Sequence, residues 1–460
     1  MKIKKNLSVI MILILTINFC IISTSENNHN IKNIYWGIKE LVSSESNDKA
    51  YRGIIKADGL GNIHLAWKDK SSYLNSGEDW DIFYKMKNKY GNWTKTEVVS
   101  NSSTMDSNCL SMFVDINGNV HISWKDKSNY LNSGDDWDIF YKMKKTDGNW
   151  TNTELVSKMS DDTSNCPFLI VDNLGIVHIV WPDASDYLNS GEDLDVFYVY
   201  KSNNNNWSNA SIITLNSYND SLRPVLDFDA NNNIYVIWEE KSNSLDSGFD
   251  SDIFFKLKTF DNNWSHLELV SSESNGESTA SSIKVESDGQ VHVVWTDNSY
   301  VDFDVFYKSR DLNSSWSNTE IVSSESLQIC NWPRIDVDKN RVIHVVWVDS
   351  TIYNGTGFDS DIIYKYKNSS DYWSDYEVVS FDSFYDSFWP SISVDDECFV
   401  HVSWWDDEGG NKWVTYYKMR LSNDFPSYTD VNNNNETPGF EFIFLLILIS
   451  FLILLKKKKN

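Results

Sequence analysis

Basic side chains are scarce in this chain. Its 460 residues carry 40 Lys and Arg against 66 Asp and Glu, a formal charge of minus 26, and only six residues are Arg. Nucleic-acid binding rests on clustered Lys and Arg that displace counterions from phosphates, so this balance excludes that class. Cysteine is scarce too: five Cys, one of them in the leader, are too few for a disulfide scaffold. Helical periodicity is missing from the body, and so is the ligand spacing of a zinc site. What abounds is aromatic surface, with 20 Trp, 23 Tyr and 23 Phe in a chain that is 41% hydrophobic. Such a composition is far too apolar for disorder.

The two ends read separately from the body. Residues 1–25 join Lys2, Lys4 and Lys5 to an apolar run over 9–22 and a Ser23-Thr24-Ser25 close, the pattern of a secretory signal peptide. At the other end an Asn-rich linker (421–439) leads to an apolar segment (440–455) and a basic tail (456–460). A basic stop after an apolar segment fits a cytoplasmic end, although sixteen residues is short for a span. These ends predict a protein held at its C-terminus on the extracellular face of the cell membrane. Eleven Asn-x-Ser/Thr sequons after the leader, Asn92, Asn149, Asn206, Asn263 and Asn354 among them, agree with export and a glycoprotein. Pro438, Gly439 and Phe440, followed by the apolar segment and Lys cluster, resemble the archaeal PGF-CTERM sorting tail. That resemblance implies removal of the segment and a lipid anchor in its place; a retained single-pass anchor is the alternative.

Self-similarity predicts the fold of the body. The run Asn62-Ile63-His64-Leu65-Ala66-Trp67 returns with anchors at Trp124, Trp181, Trp238, Trp295, Trp347 and Trp404, spaced 57 residues apart except for one step of 52. Two residues past each anchor stands an acid, and an Asp-Ile-Phe-Tyr-like strand follows. Each repeat divides into four short strands, a to d, rich in β-branched and aromatic residues and separated by Asn-Gly, Asp-Gly and Ser-Gly turns. Seven such repeats predict an all-β, seven-bladed β-propeller of four-stranded blades over residues 34–420. The d-strand Trp is missing after the last repeat, and Trp36 with its following residues matches the segment that begins at Trp264. An N-terminal strand is therefore expected to finish the last blade, closing the ring and removing its open edges.

At one c-to-d turn, Ser309-Arg310-Asp311-Leu312-Asn313-Ser314-Ser315-Trp316 has the spacing of the Asp box and resembles the sialidase-like (BNR) propellers, with Asn in place of Gly. The resemblance covers the body and implies a fold; an Asp box is structural and carries no activity by itself. A sialidase holds its substrate carboxylate with three Arg and pairs a Tyr with a Glu. Arg52, Arg223 and Arg334 are the Arg that could converge on the channel here, without a demonstrated match to that triad; no Arg-Ile-Pro motif opens the chain and no carboxylate pair stands apart from the rest.

Residues repeated in nearly every blade serve the blade, so the six His and the anchor Trp are read as structural. Function is sought where the repeats disagree. Fifteen residues before the anchors stand Arg52, Cys109, Cys166, Arg223, Ala280, Trp332 and Trp389. With Arg334 and Trp405 nearby, these predict a mouth where Trp stacks a sugar and Arg holds a carboxylate. Trp plugging the channel while Arg pairs with local acids is the other reading. Cys109 and Cys166 hold equivalent places on adjacent blades and are candidates for a disulfide. The long b-to-c loops carry carboxylates at both ends, Asp69 with Asp79 and Asp81, Asp126 with Asp136 and Asp138, Asp183 with Asp193 and Asp195. Such oxygen-rich loops are candidate calcium sites; capped turns facing solvent are the alternative. The face bearing them is expected to be negative and aromatic, repelling anions. The expected function is a non-catalytic module binding a glycan, a peptide or a cell-envelope protein. A sialidase-like glycoside hydrolase and a structural envelope component are the alternatives.

Overall fold

In the computed structural model, residues 35 to 422 are described, apart from 203, 216, 300, 301, 354, 355, 370, 410 and 411. The leader, the sorting motif at Pro438, Gly439 and Phe440, and the apolar tail lie outside the described residues. Within them, every repeat forms part of a four-stranded antiparallel blade. In blade 1 strand a is Ala50–Ala57, b is Ile63–Asp69, c is Asp81–Lys87 and d is Glu97–Val98, hydrogen-bonded in that order. Strands b and c pair without interruption from Ile63 with Lys87 to Asp69 with Asp81. Both faces of b are buried between neighbouring blades, where its polar His64, Lys68 and Asp69 are hydrogen-bonded among the apolar residues. Its anchor Trp is at most 2% exposed in every blade. Burying 150 to 250 Å² of indole at about 25 cal/mol per Å² contributes roughly 5 kcal/mol per anchor.

Six blades are built from consecutive strands, and the seventh is not. Its a, b and c strands are Ser387–Val394, Val400–Asp407 and Trp413–Met419, and its fourth strand is Glu40–Leu41 from the other end of the chain. Glu40 pairs with Tyr417 and Leu41 with Tyr416. Trp36 bridges Arg420 as Trp93 bridges Lys87 in blade 1. Each a strand touches those of both neighbouring blades, and that of blade 7 touches that of blade 1, so seven four-stranded blades form a closed ring. Among the described residues helix is confined to three short 3-10 turns, and no helix is long and apolar enough to cross a membrane.

Polar clamps tie blade to blade. Trp93 Nε1 donates to Glu40 of blade 7 at 2.8 Å, Trp150 to Glu97 at 2.7 Å, Trp207 to Glu154 at 2.9 Å and Trp316 to Glu268 at 2.8 Å. A cation from the neighbouring c strand meets the same Glu, as Lys144 does Glu97 at 2.5 Å. At the closure the clamp is Trp36 Nε1 to Glu377 at 2.9 Å, with Arg420 Nη2 to Glu377 at 2.9 Å. The repeated His are structural in turn: His64 joins the Tyr84 hydroxyl at 2.8 Å to Asp58 at 3.2 Å, and His121 and His178 repeat the relay. The Asp58 carboxyl, hydrogen-bonded by His64 and Asn62 against the cost of its burial, is held down to about 2.

Candidate functional site at the channel mouth

The first residues of strand a lie beside the last of strand b, so the variable position and the b-to-c loop share one end of the channel. At that position strand a carries a bulge in six blades, as between Tyr51 and Ile54. The bulged residues are left-handed without being glycine: Arg52 (φ 58°), Cys109 (48°), Arg223 (47°), Ala280 (54°), Trp332 (54°) and Trp389 (45°). Each such backbone costs on the order of 1 to 3 kcal/mol, and strain of this kind collects where a side chain must be aimed. In blade 3 the a strand begins later, at Phe168, and Cys166 lies ahead of it.

The candidate residues come together. The Arg52 guanidinium lies 4.2 Å from the Trp389 ring centroid and that of Arg223 5.3 Å from Trp332. Trp332 and Trp389 are 5.2 Å apart by ring centroid, and Trp389 and Trp405 6.1 Å. Tyr51, which sequence reasoning did not single out, joins them at 5.9 Å from Trp405 and 5.1 Å from both Trp80 and Trp413. Arg223 is paired with Glu239 at 2.8 Å, whereas Arg52 reaches only a Cys109 sulfur at 3.5 Å and its buried Nε has no partner. Arg334 donates to the Pro333 carbonyl at 2.8 Å.

Lys68 and Lys125 were also missed by sequence reasoning. Lys68 donates to Asn108 at 2.6 Å and lies 4.3 Å above Tyr51; Lys125 donates to Asn165 at 2.9 Å. Burial, with repulsion from Arg52 and Lys125 outweighing attraction to Asp106, brings Lys68 down to about 7. Burial and the charges of Arg52 and Arg223 hold Arg334 down to about 10. Mutual repulsion among these groups shows that they share one electrostatic site. The centre of the acidic loop face thus carries a cluster of cations. Arg52, Arg223, Arg334, Lys68 and Lys125 gather there around Glu239 and Asp106.

Glu239 is saturated. It accepts from Arg223, from the Thr279 hydroxyl at 2.8 Å and from the Ala280 N–H at 2.6 Å, and burial raises its carboxyl despite Arg223. Deeper in the channel Lys284 lies between Asp336 at 3.2 Å and Asp227 at 3.8 Å. A shallow dent lined by Trp124, Tyr130 and Phe140 lies away from the mouth. Aromatic rings pack across the mouth, which is therefore a platform for stacking rather than a deep pocket.

Cys109 and Cys166 form a disulfide between blades 2 and 3, while Cys330 and Cys398 are free and buried. The bond closes a loop of 57 residues under the mouth. Changing both Cys to Ser is expected to lower stability by about 2 to 4 kcal/mol in urea unfolding. Reductant should destabilise the parent by a similar amount and leave the double variant unmoved.

The loop carboxylates divide by position. Asp69 accepts from Trp67 Nε1 at 3.0 Å, Ser71 N at 2.8 Å and Ser46 Oγ at 2.9 Å; Asp126 and Asp183 hold their Trp and Ser likewise. The oxygens of these three are committed to the b strand and the turn that follows it. Asp79, Asp81, Asp136, Asp138, Asp193 and Asp195 lie at the far end of the loops. Burial pushes Asp81 up to about 7 and Asp138 and Asp195 up to about 6, with the neighbouring carboxylate of each pair adding to the rise. Among the described residues no group of three or more His, Cys, Asp or Glu side chains forms a metal cluster.

No protein-family model matches the chain, and no curated sequence matches it. Among solved structures the chain is similar to the polysaccharide lyase Uly1, at 10% identity over 86% of this chain and 94% of that one, with a TM-score of 0.52. It is also similar to the Hadza microbial sialidase Hz136 (13% identity, 80% and 74% coverage, TM-score 0.45). A third is an α-L-arabinanase of Penicillium chrysogenum (12%, 68% and 93%, TM-score 0.44). At these identities the likeness is one of fold, that of a β-propeller.

Proposed function

We propose that this propeller is a glycan-binding module of the cell surface that holds a carboxylate-bearing sugar chain across its channel mouth without turning it over. One observation carries the reading: Arg52, half-buried and without a carboxylate partner, stacks on Trp389 amid a cluster of cations and indole faces. Guanidinium groups match a carboxylate by paired hydrogen bonds, and flat aromatic faces match the apolar face of a sugar ring. A peptide would ask for a groove or a free strand edge. Uly1, by name a polysaccharide lyase, is a glycan-active protein on a related architecture. The reading of binding without turnover is supported by Glu239, whose oxygens are already held by Arg223, Thr279 and Ala280. The signal-like leader, the apolar tail and the disulfide support a place outside the cell, where oxidised cysteine persists.

The reading makes affinity depend on pH through Lys68. Its amine, facing Arg52, Lys125, Asp106 and Tyr51, is charged below about pH 7 and neutral above. An anionic ligand favours the charged form, so its affinity is expected to rise severalfold from pH 8 to pH 6. Affinity electrophoresis of the full chain in gels containing polygalacturonate, with dextran as the neutral control, reads this directly. Equal retardation by both polymers at both pH values rejects the reading.

A further inference from the structure

The far ends of the long b-to-c loops share a feature beyond their acidity. Blades 1, 2, 3, 4 and 6 each carry Ser/Thr-Gly-x-Asp-x-Asp, beginning at Ser76, Ser133, Ser190, Ser247 and Thr356. The second Asp of each motif begins strand c and is at most 2% exposed. One of its oxygens accepts from a Ser or Thr, as Asp81 does from Ser100 at 2.5 Å and Asp361 from Ser380 at 2.6 Å. The other oxygen, Oδ2 of Asp81, Asp138, Asp195, Asp252 and Asp361, is buried in every case with no hydrogen-bond partner. In blades 1, 3 and 6 the first Asp adds a second such oxygen, Oδ2 of Asp79, Asp193 and Asp359.

Buried, unpartnered carboxylate oxygens are among the costliest groups a protein retains, and five repeats of one arrangement are not an accident of packing. Blade 5, whose loop lacks the motif, also lacks the feature: the corresponding Asp304 has no unpartnered buried oxygen. A neutral oxygen lies beside each pair. The Ser76 hydroxyl lies within hydrogen-bond reach of both the Asp81 carboxyl and the Ser71 carbonyl, the latter at 2.9 Å, and so places a neutral oxygen between the carboxylate pair and the loop. Ser133 and Ser190 do the same toward Ser128 and Ser185. At each motif glycine the backbone is left-handed, and a Cβ on Gly77 would lie 2.4 Å from Asp79 Oδ1, so only glycine lets the carboxylate in.

We propose that each of these five loop ends is a calcium site, in which the two Asp and the Ser or Thr hydroxyl supply protein oxygens and main-chain carbonyls and water complete the shell. Mixed hard oxygens on a pliable turn suit calcium, which takes six to eight ligands in loose geometry, better than magnesium, which demands a tight octahedron. The ions would pin the loops that frame the mouth. They would also offset, on the same face, the negative charge that opposes an anionic glycan.

The test uses the full chain stripped of divalent ions. Titration with calcium chloride in a calorimeter is expected to show about five ions per chain, with weaker or no binding of magnesium chloride. Calcium should raise the melting midpoint, because a ligand bound only by the folded state stabilises it. Terbium should give Trp-sensitised luminescence, since Trp80 and Trp137 sit between the paired carboxylates of blades 1 and 2. The Asp81→Asn/Asp361→Asn variant is expected to bind about three ions, and Asp79→Asn, altering the less buried partner, about four. Absence of heat and an unmoved melting midpoint at millimolar calcium overturn the proposal. So does a stoichiometry that both variants leave unchanged, and the parent titration decides even if the double variant does not fold.

Discussion

Replacing Arg420 with alanine is expected to lower the unfolding free energy by about 3 to 5 kcal/mol, the range for stripping one partner from a buried ion pair. Arg420 and Glu377 are both almost fully buried, and the guanidinium grips the carboxylate through Nε at 3.1 Å and Nη2 at 2.9 Å. Trp36 donates to the same Glu377, so one carboxylate joins blade 6, the c strand of blade 7 and the N-terminal segment. Without Arg420 a buried charge is left against Tyr364 and the ring loses its closure clamp. Urea unfolding followed by Trp fluorescence measures the loss. The double variant Arg420→Ala/Glu377→Gln should recover part of it, because no charge remains unpaired. A change under about 1 kcal/mol in the single variant places the closure elsewhere.

Arg52→Ala is expected to weaken binding of an acidic polysaccharide at least tenfold, and Trp389→Ala by a comparable factor, without altering the fold. Loss of a charge-assisted bidentate contact and of a stacked ring each fall near 1.5 to 3 kcal/mol, and tenfold corresponds to about 1.4 kcal/mol. The two effects should be less than additive, since the Arg52 guanidinium rests on the Trp389 ring at 4.2 Å and each positions the other. Alanine keeps the Cβ, so the left-handed backbone at φ 45° stays as strained as before, and loss of the ring contacts with Trp332 and Trp405 should lower stability modestly while affinity falls. Calorimetry and melting on the same samples separate the two quantities.

Much of the architecture was legible because a propeller writes its period into the chain. Anchor Trp every 57 residues gave the blade number, and the displaced Trp36 gave the closure, since a strand missing at one end and spare at the other has one economical use. The mouth residues were legible as breaks in the repeat. Three things were not. The interblade clamps hid in plain sight: Glu40, Glu97, Glu154, Glu268, Glu320 and Glu377 recur with the blades, but a Glu in a d strand carries no sign that the Trp of the next blade will meet it. The cations at the mouth were obscured by the net charge of the whole chain, which says nothing about where a Lys points. Lys68 and Lys125 occupy a register that holds Pro182, Thr296 and Val348 in other blades, and that disagreement was the available signal. Lastly, Asp69 and Asp81 look alike in sequence. Only the fold shows that one is spent on Trp67 while the other keeps an oxygen without a partner.

The central claim is that the mouth recognises a carboxylate on a sugar chain, and the most direct measurement compares a polyuronate with the same polymer after its carboxyls are reduced to alcohols. Calorimetry of the full chain should show binding of the native polymer, weakened by salt as expected of a charge contact, and a loss of at least tenfold on reduction. Equal affinity for both forms would contradict the account, because Arg52, Arg334 and Lys68 would then have no part in the contact.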